Sequence, residues 1–297
     1  MEFSNISSPY RLSSVDELPT RIQQHLWAQL SDDESPLYLC VMPRERSWLQ
    51  MVLGISKEFT FFVLTPKQVM LIHDTPKGQE VQACRVDELT YFEAGMILLN
   101  SWFKAPPSVT TASGPIYVRY NSVFEREFHA AILYLRKLTL GLDLEIEGVF
   151  SEMPGEPLLQ ALPIKFNNVS RRYWLRGEAA LSALLVPVIR TPYLRYFRRV
   201  YSFATAIILT NWQVLLVIEQ GSEGSAGKYG QAWLFCPLSH IATVSLDDTP
   251  AYGLRALRLE LQAGSRQDTV EAPYPPEMEG DFQRFVEAVR RARERLT

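Results

Sequence analysis

Ten residues that begin at Val63, VLTPKQVMLI, recur from Ile208 as ILTNWQVLLV. Both segments keep a Leu-Thr pair and, three residues after the Thr, a Gln-Val pair, while most other positions differ. An internal repeat constrains the fold more strongly than composition does, because each copy has to form the same structural unit. The sequence therefore predicts two related halves.

The repeat extends well beyond these ten residues and stays in order along the chain. The matched positions are Leu18-Pro19 with Leu162-Pro163, Glu34 with Glu178, Pro43 with Pro187, Cys84 with Cys236, Tyr120 with Tyr274, and Phe128 with Phe282. Their separation grows from 144 to 154 positions, as loop insertions in the second copy would produce. We predict a tandem duplication with domains 1–150 and 151–297.

Within each copy, the periodicity indicates strands first and a helix last. Short apolar or alternating runs predict strands in the first copy at 37–42, 59–64, 69–72, 82–86, 90–93, 97–103 and 116–120, and in the second at 180–186, 202–209, 214–218, 232–236, 241–246, 254–261 and 269–272. Apolar residues at helical spacing then follow, from Phe128 to Leu138 and from Phe282 to Leu296. The predicted fold class is mainly β (α+β), with about seven strands and a C-terminal amphipathic helix per copy.

Composition places the chain among ordinary globular proteins. It has 297 residues, of which 47% are hydrophobic and 21% charged, and its formal net charge is −3. This charge argues against a dedicated nucleic-acid-binding protein, which normally carries a strongly basic surface. Three cysteines are too few for a disulfide framework, so we expect a reducing compartment.

We expect neither a secretory signal nor a transmembrane segment. The stretch Val200 to Ile218 is uncharged and almost long enough to span a bilayer. It is rich in β-branched and aromatic residues, and its first-copy counterpart contains Lys57, Glu58 and Lys67, which would be costly in hydrocarbon. We therefore expect strands here and a cytoplasmic protein.

Motifs in both halves resemble the bacterial pleckstrin-homology-like domains and the related GRAM domains. They are a short helix with Leu-Pro, a Gly-Glu before the first strand in the second half, the hairpins LTPKQVM and LTNWQVL, and the terminal segments that begin at Tyr120 and Tyr274. The resemblance implies two partly open β-barrels, each capped by its C-terminal helix. It also implies a binding role toward lipids or proteins rather than catalysis.

Positive charge is concentrated in one part of the second copy. Between Lys165 and Arg199 there are eight basic residues and a single acidic one, Glu178. In RTPYLRYFRR (190–199), arginines alternate with aromatic residues, and the strand pattern places this segment in the loop between the first two strands of the copy. The candidate headgroup ligands are Arg190, Tyr193, Arg195, Tyr196, Arg198 and Arg199.

This chemistry suits an anionic phospholipid surface, because guanidinium groups bind phosphate through two hydrogen bonds and aromatic rings favour the membrane interface. In pleckstrin-homology domains that bind lipid, the corresponding loop holds the headgroup. The alternative is a solvated basic loop, or arginines paired with acidic groups of the first copy.

The equivalent loop of the first copy is more apolar and contains Trp48, Leu49 and Met51. These residues could contact a membrane or a partner, pack against the other copy, or close their own barrel. We expect one of the last two roles.

Catalytic and metal-binding motifs are missing from the sequence. The four histidines are scattered, and the glycines between Gly221 and Gly230 do not lead into a helix as a phosphate-binding loop would. We expect no cofactor and no metal. The predicted function is a non-enzymatic binding or scaffolding module, cytoplasmic or peripheral at the inner membrane surface; the alternative is a protein–protein interaction platform that does not bind lipid.

Overall fold

The computed structural model describes residues 9–31, 34–43, 58–75, 78–106, 115–143, 157–193, 197–220, 230–249 and 252–296. Phe124, Tyr193, Phe197 and Arg198 are described by their backbone alone. The described chain forms two compact units. The first comprises Met1–Leu89 and Lys104–Leu144, and the second comprises Thr90–Phe103 and Glu145–Thr297.

The described part of the chain is mainly β. Its strands are β1 (Tyr10–Leu12), β2 (Tyr38–Pro43), β3 (Phe59–Leu64), β4 (Gln68–Thr75), β5 (Gly78–Arg85), β6 (Phe92–Ile97), β7 (Asn100–Ala105), β8 (Ile116–Asn121), β9 (Ala180–Val186), β10 (Ile189–Tyr193), β11 (Phe197–Ser202), β12 (Thr205–Thr210), β13 (Gln213–Gln220), β14 (Gly230–Pro237), β15 (Ile241–Asp248), β16 (Arg255–Ala263) and β17 (Arg266–Tyr274). The helices are α1 (Thr20–Trp27), α2 (Glu125–Thr139), α3 (Pro157–Gln160), α4 (Ile164–Ser170) and α5 (Glu279–Glu294). Short 3-10 turns lie at Val15–Glu17, Val86–Glu88, Ser122–Phe124, Arg171–Tyr173, Leu238–His240 and Pro276–Met278.

In the first unit, strands β1 to β5 form an antiparallel sheet in chain order. Helix α1 buries Ile22 and Leu26 in a cluster with Phe61 and Val63 of β3. The next residue along β3, Phe62, lies instead against Phe128 of α2, with ring centroids 5.6 Å apart. Because successive strand residues point to opposite faces, helices cover both faces of this sheet, and every residue of β3 is buried.

In the second unit, six strands lie side by side in the order β7-β6-β14-β13-β12-β9. A separate antiparallel sheet contains β15, β16 and β17. The main core of this unit joins side chains from β12, β13 and β16 with one face of α5, including Phe282, Phe285 and Val289. On the other side of the larger sheet, Trp233 donates to the carbonyl of Val169 in α4 at 2.9 Å.

Strand β6 belongs to the first half of the sequence but pairs with β14 of the second half. The register runs antiparallel from Gly230 opposite Ile97 to Phe235 opposite Phe92. The rings of Phe92 and Phe235 stack with centroids 4.8 Å apart, and Phe92 is completely buried. Residues 90–103 therefore contribute to the compact unit of the second half. The predicted division at residues 150 and 151 stays a prediction.

The repeated ten-residue segment forms the same local structure in both units. In each, the Thr hydroxyl accepts from the amide of the Gln three residues later, at 3.0 Å for Thr65 and 3.1 Å for Thr210. A buried glutamate then accepts from the side-chain amide of that Gln: Glu34 from Gln68 at 3.4 Å, and Glu178 from Gln213 at 2.8 Å. The Thr and the Gln of the repeated segment therefore make the same contacts in both units.

The matched aromatic pairs also adopt the same geometry. Tyr120 stacks on Phe128 at 4.0 Å with an interplanar angle of 14°, and Tyr274 stacks on Phe282 at 3.8 Å with an angle of 11°. In both units, the final strand is thus joined to the final helix by the same ring contact. These parallel geometries support the proposal that the two halves derive from one ancestral unit.

The coarse fold prediction is confirmed: the protein is mainly β, with antiparallel sheets and a C-terminal helix. The finer prediction of two partly open barrels stays a prediction. The uncharged stretch Val200 to Ile218 forms strands, as expected, in β11, β12 and β13. Leu296, predicted to lie on the buried face of the last helix, instead follows the end of α5 and is 49% exposed.

Candidate functional site

The basic segment of the second half forms a two-stranded antiparallel ribbon, β10 and β11, where the sequence predicted a loop. It continues the hairpin of β9 and β12, since Val186 lies opposite Thr205 and Ile189 lies opposite Ser202. A register shift between Ile189 and Arg190 separates the two parts. The segment forms a ribbon because Thr, Tyr, Phe and Val favour an extended backbone. Counting its charged residues gives no information on this preference.

The ribbon register decides how its arginines are arranged. Arg190 lies opposite Val200, and Arg199 lies opposite Thr191. Because cross-strand partners share a face and neighbouring residues alternate, Arg190 and Arg199 point to opposite faces. Both are exposed. The ribbon therefore presents positive charge on both faces, rather than a single pocket in which all the predicted side chains converge.

The other predicted site residues are only partly described. The backbones of Tyr193 and Arg198 lie in the ribbon, opposite Phe197 and Pro192. Arg195 and Tyr196 lie outside the described residues, as do Trp48, Leu49 and Met51 of the first half. Their proposed contacts with headgroups, a membrane or a partner stay predictions.

Two aromatic residues that the sequence did not single out lie beside the ribbon. Tyr201 of β11 and Tyr252, in the turn between β15 and β16, contact edge to face with centroids 5.7 Å apart. They are 39% and 52% exposed. Tyr201 adjoins the arginine-aromatic segment and could have been included in it. Tyr252 becomes a neighbour only through the tertiary fold, so sequence spacing gave no signal for it.

Several basic residues upstream of the ribbon take part in structural contacts. Lys165 forms an ion pair with Glu219, and the guanidinium of Arg172 lies 5.9 Å from the ring centroid of Trp233. These contacts anchor α4 and the following turn to the larger sheet. The high charge density of 165–199 thus combines a structural part with an exposed part on the ribbon.

A separate polar depression lies on β16 and β17 in the second unit. It has a volume of about 220 Å³ and is lined by Glu260, Gln262, Gln267, Asp268 and Thr269, with Ala242 and Leu261. Asp268 is held by a 2.9 Å contact from Arg266 and a 2.5 Å hydrogen bond from Thr90. Burial, with the nearby Asp268 carboxylate as the next cause, raises the pKa of Tyr91. The Asp268 carboxylate therefore already accepts hydrogen bonds from Arg266 and Thr90.

The cysteines occupy packing positions, as predicted for Cys84 and Cys236. Cys40, Cys84 and Cys236 are free and buried. Burial raises the pKa of the Cys40 thiol to about 12 and raises that of Cys236 further. Both thiols therefore stay protonated at neutral pH, which disfavours a nucleophilic role.

Neither metal ligands nor a spanning helix is found among the described residues. No group of three or more His, Cys, Asp or Glu side chains there is arranged to hold a metal ion. None of the described helices combines the length and apolar character needed to cross a bilayer. The predictions of no cofactor and no metal stay predictions.

Comparison with known proteins does not assign the chain to a family. The chain matches no family model, and no curated protein matches its sequence.

Proposed function

We propose that this chain is a non-enzymatic module, built of two pleckstrin-homology-like units, that contacts anionic lipid headgroups through the ribbon β10–β11. The observation that carries the proposal is the exposure of Arg190 and Arg199 on a ribbon that extends beyond its sheet. A basic residue near an anionic membrane contributes roughly 1 kcal/mol to binding. A projecting ribbon that meets the membrane edge-on can bring arginines of both faces to the headgroups.

The aromatic residues support the same function. Tyr201, two residues after Arg199 on β11, and its neighbour Tyr252 present exposed rings beside the ribbon. Tyrosine favours the interface between water and lipid. Charge and aromatic character together suit a peripheral protein that binds reversibly. We propose the cytoplasmic face of a membrane as its site of action, because anionic lipids are concentrated there.

The experiment is vesicle flotation with phosphatidylcholine vesicles that contain zero to about 40 mol% phosphatidylserine, chosen to span the surface potentials of cytoplasmic membranes. We expect the wild-type protein to float in proportion to anionic lipid content and to be released by high salt, which screens exposed charges. Failure to float at low salt would contradict the proposed function.

Charge-reversal variants locate the contact. We expect Arg190→Glu/Arg199→Glu to weaken vesicle binding at least about tenfold, since the loss of two contributions of roughly 1 kcal/mol already exceeds the 1.4 kcal/mol that a factor of ten requires. Arg291→Glu/Arg295→Glu is the matched control, because it makes the same change in net charge at exposed positions near the C-terminal end of α5. The control should bind as the wild type does; equal loss in both variants would indicate a nonspecific charge effect.

A protein-interaction platform is the second candidate function. The observation in its favour is β17, a nine-residue strand at the end of its sheet in the described part of the chain. Strand addition at such an edge is a common mode of peptide recognition. Flotation separates the two candidates, because a platform that does not bind lipid would remain with the soluble fraction at every lipid composition.

A further inference from the structure

A second exposed feature lies at the same end of the larger sheet as the ribbon. Strands β6 and β7 are joined by a two-residue turn, Leu98-Leu99, whose side chains are 61% and 62% exposed. The sequence had placed these residues inside a strand at 97–103. The structure instead puts two large apolar side chains at a hairpin tip, where polar residues and glycine are usual.

The backbone conformation of this turn is one in which a leucine lowers the stability of the folded protein. Leu98 has a φ of 51°, in the left-handed region where a bulky side chain is strained. Glycine occupies the corresponding position of the common two-residue hairpin turn that has one positive φ. Residues held in such conformations concentrate at functional sites.

Among the described residues, Leu98 and Tyr252 are the only non-glycine residues with a positive φ. Both are large, both are exposed, and each is at a hairpin turn. Tyr252 contacts Tyr201 of the ribbon. The strained positions of the second unit thus carry apolar or aromatic side chains into solvent, which folding stability does not explain.

The strand register shows that the Leu98-Leu99 turn and the ribbon project from one end of the sheet. Ile97 lies opposite Gly230, and Gly230 lies opposite Gln220. Two residues before Gln220, Ile218 lies opposite Thr205, which in turn faces Val186, where the chain leaves the sheet toward the ribbon. Three strand spacings separate β6 from β12, so the turn and the base of the ribbon are about 14 Å apart.

We infer that the Leu98-Leu99 turn inserts into the acyl region of the same anionic membrane that the ribbon contacts. This inference rests on the proposed function, because the arginines supply the attraction and the leucines supply a second, apolar contact. An apolar tip about 14 Å from the base of a cationic ribbon matches the boundary between hydrocarbon and headgroups, where amphipathic surfaces bind.

The decisive variant removes the leucines without weakening the hairpin. Leu98→Gly relieves the positive φ, and Leu99→Ser places a polar residue in the turn. We expect Leu98→Gly/Leu99→Ser to fold at least as stably as the wild type and to bind vesicles with about 30 mol% phosphatidylserine roughly tenfold more weakly, because apolar burial is lost. Leu296→Ser is the matched control, because Leu296 is an exposed leucine outside the proposed contact. It follows α5, and Arg293 near the end of α5 donates a hydrogen bond to the carbonyl of Ala242. Ala242 lies at the start of β15, whereas Tyr252 follows the end of that strand.

A fluorescent reporter tests insertion even if the double variant folds poorly. Leu99→Cys can be labelled selectively with an environment-sensitive dye, because the native cysteines are buried. We expect vesicle binding to shift the dye emission to the blue and lipids with a spin label in the acyl chain to quench it, with neither effect for a dye at Leu296→Cys. If the wild type floats, and Arg190→Glu/Arg199→Glu abolishes flotation, but the dye at position 99 stays in water, the insertion is wrong while the proposed function stands. If the wild type does not float, both are wrong.

Discussion

At the scale of single residues, close packing explains why particular small residues are required. Gly95 of β6 lies against the ring of Trp102, and a Cβ added at Gly95 would be 2.0 Å from that ring. Trp102 also donates a 2.6 Å hydrogen bond to Glu93 on the same hairpin. An aromatic ring over a strand glycine restores packing that glycine alone lacks, so this pair fixes the hairpin of β6 and β7.

The first residue-scale prediction concerns this contact. We expect Gly95→Ala to lower the free energy of unfolding by about 1–3 kcal/mol, because the new methyl group overlaps the indole ring and forces it to move. Urea unfolding measures the change. Gly280→Ala is the control: Gly280 lies in the first turn of α5 with its nearest neighbour 3.9 Å from the added Cβ, so the change should be neutral or stabilising by up to about 1 kcal/mol.

The second residue-scale prediction concerns alkaline pH. Burial raises the pKa of Cys40 from 9.0 to about 12, so between these values the unfolded chain loses the thiol proton while the folded protein keeps it. Stability conferred by the neutral thiol is therefore present below pH 9 and falls as the pH rises, by at most about 1.4 kcal/mol per pH unit. We expect urea unfolding between pH 8.5 and about 10.5 to show a steeper decline for the wild type than for Cys40→Ala. Equal slopes would contradict a raised pKa.

At the scale of elements, the matched hairpins depend on one buried carboxylate each. Glu178 accepts from the side chain of Gln213 at 2.8 Å and from the amide of Leu175 at 3.0 Å. It thereby joins the residues before β9 to the turn between β12 and β13. Glu34 and Gln68 make the corresponding link in the first unit.

The element-scale prediction follows from these bonds. We expect Glu178→Ala to destabilise the protein by roughly 2–3 kcal/mol, because it leaves buried donors without an acceptor. Glu178→Gln keeps one accepting oxygen and nearly the same shape, but it turns an NH2 group, which cannot accept, toward the other donor. We therefore expect it to lose about one of the two hydrogen bonds and to be destabilised less than Glu178→Ala. Thermal unfolding of both variants, monitored by circular dichroism, gives the comparison. A loss in Glu178→Gln as large as that in Glu178→Ala would contradict this account of two separate hydrogen bonds.

Most strands could be predicted from sequence because their signals are local. The strands 59–64 and 180–186 were predicted with the observed bounds, since both are short apolar runs ended by a turn or a proline. The ribbon was predicted as a loop, because its arginines and Pro192 interrupt the run of β-branched and aromatic residues that indicates a strand. The Leu98-Leu99 turn was missed because ILLN reads as a continuous apolar strand. For the site, charge density identified Arg190 and Arg199, but only the register shows that they point to opposite faces.

At the scale of the whole molecule, the compact units do not follow the order of the sequence. Residues 90–103 belong to the second unit, although the repeat places them in the first half. Pairing between β6 and β14 joins residues far apart in sequence, and a register of this kind depends on tertiary packing rather than local propensity. Sequence could therefore predict which strands exist, but not which strands of the two halves pair.

The whole-molecule prediction tests whether residues 90–103 stabilise the second unit. We expect the isolated fragment 145–297 to unfold at a lower temperature than a version with residues 90–105 joined to its N-terminus through a flexible linker. The fragment alone lacks the buried Phe92 and its stack on Phe235, worth about 2–3 kcal/mol of apolar burial. The same linker fusion with Phe92→Ala is the control and should recover little stability. Equal melting temperatures for all three proteins would contradict the assignment of 90–103 to this unit.

The pairing of β6 with β14 also sets an order of events during synthesis. Phe92 leaves the ribosome roughly 140 residues before Phe235, a delay of about 7–28 s at ordinary translation rates of about 5–20 residues per second. Throughout that interval the edge of β6 that later pairs with β14 has no partner strand. We therefore expect chaperone binding to this nascent hairpin to raise the share of the protein that reaches its native state in the cell.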